Sequence, residues 1–139
     1  MKKLLTLTLL VLLFSCGQSP EEKLSYLNGY WEIKEVISEN SVTKTYSYNT
    51  TIDYIYIENN KGFRKKLQPA FNNQYSTSDD AEGLTVKIEN DSLNLYYRTN
   101  LANWKETVLS ATEEELRIVN QDQVVYVYER YESVEFELE

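Results

Sequence analysis

The strongest constraint on this chain is a two-residue alternation interrupted by a polar turn. Leu84, Val86 and Ile88 alternate with Thr85, Lys87 and Glu89, and Leu93, Leu95 and Tyr97 alternate with Asn94, Tyr96 and Arg98. Successive side chains of a strand point to opposite faces, so each run has an apolar and a polar side. Asn90-Asp91 lies between them, and both residues tolerate the left-handed backbone of a tight turn, so the two runs read as a hairpin. Further strands are expected at Trp31–Ser38, Thr43–Tyr48, Thr51–Glu58, Gly62–Leu67, Lys105–Ser110, Glu115–Val119 and Val124–Tyr131. Polar breaks at 59–62, 72–73 and 120–122 separate several of them. Twelve tyrosines and many β-branched residues suit strands. Glu21–Leu27 and Ala111–Glu115 have room for one helical turn each, and the polar stretch Tyr75–Gly83 reads as the longest loop.

Short strands at a spacing of roughly 8–12 residues imply a sandwich or an up-and-down barrel. Ile52–Ile57 and Val124–Tyr128 are apolar or aromatic on both faces, which suits a barrel whose outer tyrosines keep a wet hydroxyl. Trp31 and Ile33 share a phase that Val36 breaks, so a bulge is expected near Lys34-Glu35.

A chain of 139 residues has the length of one domain. With no histidine it has no Ser-His-Asp triad, Cys-His dyad or histidine-ligated zinc, and with one cysteine it has no internal disulfide. A net charge of −8 argues against a nucleic-acid partner. No nucleophile elbow, phosphate-cradling loop or dinucleotide fingerprint occurs, so neither an enzyme nor a cofactor is expected.

The N-terminus reads as processing. Lys2 and Lys3 precede an apolar run, Leu4 to Phe14, that is too short for the about 20 helical residues a bilayer requires. Leu13-Phe14-Ser15-Cys16 resembles the bacterial lipobox. The resemblance implies a signal peptide over 1–15, a lipidated polar tether over 16–24 that begins at acylated Cys16, and attachment to a membrane of the cell envelope, the outer membrane first. Acyl chains hold a protein on a bilayer by hydrophobic burial, which makes sense of an anchor on so acidic a chain. Residues 133–139 read as an acidic tail.

Leu27-Asn28-Gly29-Tyr30-Trp31 carries a Gly-x-Trp at the start of the first strand. It resembles the opening motif of lipocalins and of the lipocalin-like lipoproteins of Bacteroidetes. That resemblance implies an all-β fold, a compact antiparallel up-and-down barrel of about eight strands over 25–132. It also implies that Gly29 permits a tight start, that Trp31 plugs the closed end and that Arg130 packs on the indole. A non-catalytic carrier of a small apolar molecule or lipid follows. The alternative is a structural or adaptor lipoprotein joined to an envelope protein assembly.

A barrel of this size is filled by side chains or holds one small ligand. Tyr54, Tyr56, Tyr97, Trp104, Tyr126 and Tyr128 are the candidate cavity residues, with Tyr96 a further tyrosine of the same kind. Arg64-Lys65-Lys66 either meets an anionic ligand, an acidic partner or lipid headgroups, or protects a solvated edge strand, and only Arg64 and Lys66 share a face. Asp79, Asp80 and Glu82 offer oxygen ligands but lack the spacing of a calcium loop.

Overall fold

The computed structural model describes residues 17–39, 43–70 and 73–133, and the backbone alone at Ser78 and Asp79. The expected signal peptide, Cys16 and the tail beyond Ser133 lie outside the described residues. A short helix, α1 (Pro20–Ser25), precedes nine strands: β1 (Gly29–Ile37), β2 (Thr43–Thr45), β3 (Ile52–Glu58), β4 (Lys61–Pro69), β5 (Tyr75–Glu89), β6 (Ser92–Arg98), β7 (Asn103–Ala111), β8 (Glu115–Asn120) and β9 (Val125–Arg130). From β3 to β9 each strand pairs antiparallel with the next, β1 pairs with β3, and β1 also pairs with β9. The result is a closed eight-stranded barrel, with the three-residue β2 added to β1 at the rim.

The turns follow from side-chain chemistry. Asn90 and Asp91 sit at φ 49° and 64°, and Asn59 and Asn60 at 51° and 63°. Two consecutive positive φ values make the hairpin turn whose twist matches that of its strands, and Asn and Asp tolerate them best after glycine. Gly62 is required for a different reason: a Cβ there would meet the Tyr56 carbonyl oxygen of the neighbouring strand at 1.7 Å. The β1–β9 register shifts between Ile33 and Glu35, the bulge that the phase change in this strand demands.

Two expectations from sequence are corrected. Tyr75–Gly83 is not a loop but the first half of the 15-residue β5, laddered to β4 from Tyr75 onward. Its polar composition misleads because this part of the strand projects past the end of β6, which begins to pair only at Gly83. A strand at the rim keeps its ladder without needing an apolar face. β4 is not an edge strand either, since it lies between β3 and β5.

The core fills the half of the barrel where the chain enters. Leu27, Trp31, Ile55, Leu84, Val86, Leu93, Leu95, Val108, Ala111, Leu116 and Ile118 are buried there together. Leu24 and Tyr26 pack against them from α1 and its C-terminal end, so the helix stops this end. Ser19 caps α1, accepting from the Glu22 amide at 3.1 Å, and Pro20 occupies the first turn, where its missing N–H costs nothing. The Gln18 side chain pairs with Ala111 at the end of β7, donating to its carbonyl at 2.5 Å and accepting from its amide at 3.1 Å. The stretch read as a polar tether is thus held to the base from Gln18 onward.

Truncating Trp31, which is fully buried, to alanine is expected to destabilise the fold by about 3–5 kcal/mol, the usual range for a large core aromatic. Urea denaturation of Trp31→Ala measures it, and a loss under about 1 kcal/mol would mean that the indole does not anchor this end.

Candidate functional site

Three groups of polar side chains stand out, and they divide the barrel along its axis. At the closed base, the Arg130 guanidinium lies 3.8 Å from the Trp31 ring centroid. Its nitrogens donate to three backbone carbonyls: Glu113 at 2.8 Å, Asn28 at 2.8 Å and Tyr26 at 2.9 Å. The indole N–H donates to the Leu27 carbonyl at 2.9 Å. Gly29 completes the group, at φ 129° with Arg130 so close that an added Cβ would fall 2.5 Å from Nη1. The β1–β9 register pairs Trp31 with Arg130 directly, which is why residues so distant in sequence meet. A cation–π contact of this kind contributes about 0.5–2 kcal/mol.

Above the apolar core, the interior becomes charged. Arg64 points inward from β4 beside Ile55, donates to Glu82 at 2.7 Å, and places Nη1 3.4 Å from both the Tyr97 hydroxyl and Glu106. Its Cζ lies 4.3 Å from the Tyr97 ring centroid, and Tyr97 in turn stacks on Trp104 at 5.3 Å and 15°. Asp53 is buried beside this group, with Lys66 Nζ 2.5 Å from its Oδ1. That oxygen receives no other hydrogen bond.

The electrostatics follow from burial. Desolvation pulls the Arg64 guanidinium down, but the facing Tyr97, Glu106, Tyr128 and Glu82 outweigh it and hold the proton more firmly than usual. Burial pushes the Tyr97 and Tyr128 phenols up, so both stay neutral. Burial also raises the Glu106 carboxyl, with Arg64 and the Tyr97 hydrogen bond only partly offsetting it. A buried ion cluster of this kind is weak evidence for net stability, yet removing one member strands the others.

The third group is the rim. A cleft of about 930 Å³ opens between β3, β4, the overshooting part of β5 and the β6–β7 turn. Its walls carry seven charged side chains, Asp53, Arg64, Lys65, Lys66, Asp80, Glu82 and Arg98, together with Ala81, Gly83 and Thr99 to Leu101. The sequence points to a small apolar ligand, but the lining of this cleft is charged. The apolar side chains of the core cluster fill the closed half.

The candidate cavity residues separate accordingly. Tyr97 and Tyr128 are buried inside, and Trp104 and Tyr126 pack against the same core. Tyr54 and Tyr56 do not line the interior, because they alternate with the inward Ile55 and Ile57 and face outward. Tyr54 stacks on Tyr30 at 4.8 Å, Tyr30 stacks on Tyr75 at 5.2 Å, and Phe63 bridges Tyr54 and Tyr56 at 5.9 and 5.8 Å. Tyr96 is also external, donating to Glu89 at 2.6 Å. Of the basic triplet, Arg64 and Lys66 share the inner phase and Lys65 takes the outer one. Asp80 and Glu82 belong to the cleft wall, and no group of three acidic or sulfur ligands suited to a metal occurs among the described residues.

Sequence reasoning passed over Asp53 and Glu106, and weighed Glu82 only as a loop oxygen ligand. Glu106 carried a readable signal: it shares the inward phase of Trp104 and Val108, and a charge at an inward position requires a partner.

A small antiparallel barrel, plugged at one end by a tryptophan under an arginine and open at the other in a polar cleft, defines a lipocalin-like architecture. The chain belongs to the lipocalin-like domain family, whose model matches residues 27–118. It is similar in fold to the crystal structure of a lipocalin-like protein from Bacteroides uniformis ATCC 8492, at 7% sequence identity and a TM-score of 0.50, covering 76% of this chain and 98% of that one. An uncharacterized protein from Bacteroides eggerthii DSM 20697 aligns at 11% identity and a TM-score of 0.49, covering 76% of this chain and 99% of that one. No curated protein matches.

Because the folded state holds the Glu106 proton to higher pH than the unfolded chain does, its contribution to stability is greatest below the ordinary carboxylate range. It falls as pH rises through that range toward the folded value. Wild-type stability measured against Glu106→Gln should therefore decline as pH rises from the ordinary carboxylate range, about 4, toward the raised folded value. Urea melts at several pH values test this, and a difference constant with pH would show that burial does not perturb the group.

Proposed function

We propose that this chain is a lipid-anchored envelope protein whose barrel holds a small, water-soluble, charged or zwitterionic molecule in the rim cleft. The observation that carries the reading is the cleft itself. Its volume of about 930 Å³ falls within the roughly 300–1,000 Å³ usual for small-molecule sites. Acids and bases both line it, so a ligand with one positive and one negative group finds partners for each. Of the four cations at its walls, Lys66 and Arg98 are assigned to a carboxylate or phosphate, while Asp53 and Glu82 suit a donor. Lipocalin-like barrels are typically binding domains. The lipobox-like Leu13-Phe14-Ser15-Cys16 supports acylation at Cys16 and an outer-membrane address.

A second reading, an adaptor in an envelope assembly, draws on the outer row of rings formed by Tyr75, Tyr30, Tyr54, Phe63 and Tyr56. Aromatic residues are enriched at protein interfaces. Substituting Tyr54 and Phe63 with serine separates the two readings, since it alters the ring row and leaves the cleft lining intact.

Native mass spectrometry of the mature protein from its own host should show an adduct of a few hundred daltons that is absent from the Lys66→Glu, Arg98→Glu double variant. A bare mass in both would turn the balance to the adaptor. In cell fractionation, Cys16→Ser should move the protein from membrane to soluble fractions, and retention after a carbonate wash would refute the anchor.

A further inference from the structure

The fixed position of the chain's entry says how the barrel stands on a membrane, and this inference rests on the lipid anchor proposed above. The chain is attached to the closed base from Gln18 onward, through the two bonds to Ala111, the buried Pro20, the packed Leu24 and Tyr26, and the hold of Arg130 on the Tyr26 carbonyl. Only Gly17 separates Gln18 from Cys16. At no more than about 3.3–3.6 Å per residue, the anchoring cysteine stays within about 7 Å of Gln18. The charged cleft lies at the other end of the strands, and a nine-residue strand such as β1 advances roughly 3.3 Å per residue.

We propose that the barrel stands base-down, with the β7–β8 turn and α1 next to the headgroups and the cleft facing away from the bilayer. The ligand is then taken from the surrounding water and not drawn out of the anchoring membrane, in keeping with the charged walls. The base carries Glu21, Glu22, Glu113 and Glu114, all exposed, so it rests at the headgroups without inserting. The competing arrangement lays the barrel on its side with the outer row of tyrosines at the lipid interface, where aromatic side chains are favoured.

The test uses the acylated full-length product, purified from a lipoprotein-processing host and reconstituted in phosphatidylcholine vesicles. Because acylation blocks Cys16, a second cysteine accepts a fluorophore uniquely. Leu101→Cys marks the rim and Glu114→Cys the base, and both positions are exposed, so neither change disturbs the core. Quenching by headgroup-nitroxide lipid should remove the Glu114 signal and spare the Leu101 signal. A flexible linker of about ten residues inserted after Gly17, with a reach of roughly 5–6 Å times the square root of its length, should erase that difference. Equal quenching at both sites in the unmodified tether, or stronger quenching at Leu101, overturns the orientation while the anchor stands. Failure of the acylated protein to float with vesicles overturns the anchor and the orientation with it.

Discussion

The barrel depends on one contact between its first strand and its last. Arg130 covers the Trp31 indole and donates to the backbone carbonyls of Glu113, Asn28 and Tyr26. A hydrocarbon side chain in that position would bury the indole but hand the exposed Asn28 and Glu113 carbonyls to water and leave the half-buried Tyr26 carbonyl without its charged donor, a bond worth roughly 1.5–3 kcal/mol. The guanidinium is suited to the place because its donors fan out in a plane while its face stays apolar enough to lie on a ring. Gly29 is tied to the same contact, since its missing side chain is the space the guanidinium occupies.

The same logic recurs higher in the barrel, with carboxylates in place of carbonyls. Arg64 introduces a charge into an interior that would otherwise be apolar, and Glu82, Glu106 and Tyr97 answer it. Above the closed base and the charged mid-section lies the cleft of about 930 Å³ at the rim. The walls of that cleft are charged.

Much of this was legible in the sequence. Alternation at Leu84–Tyr97 located a hairpin and its turn, the broken phase at Val36 located a bulge, and the Gly-x-Trp resemblance led to the family and to Arg130. The errors have physical causes. Tyr75–Gly83 looked like a loop because a strand past the rim needs no apolar face, so periodicity carries no signal there. Tyr54 and Tyr56 looked like cavity residues because tyrosine suits either side of a barrel wall, and only their phase against Ile55 and Ile57 decides. Arg64 could be placed on the face of Lys66, but its partner Glu82 depends on the β4–β5 register, and Tyr97 and Glu106 reach it from β6 and β7 across the interior, which no local pattern contains.

Closure by β1 and β9 also has a kinetic meaning. The seam joins the first barrel strand to the last, with Trp31 opposite Arg130. The hairpins between β3 and β9 can form from neighbours in sequence, but the seam must wait for a chain-length loop to close, the slow kind of step in folding. During synthesis the barrel stays open until its final strand has emerged, and the indole of Trp31 has no lid until then. A chain built in this order remains unfinished, and therefore threadable, for as long as its last strand is withheld.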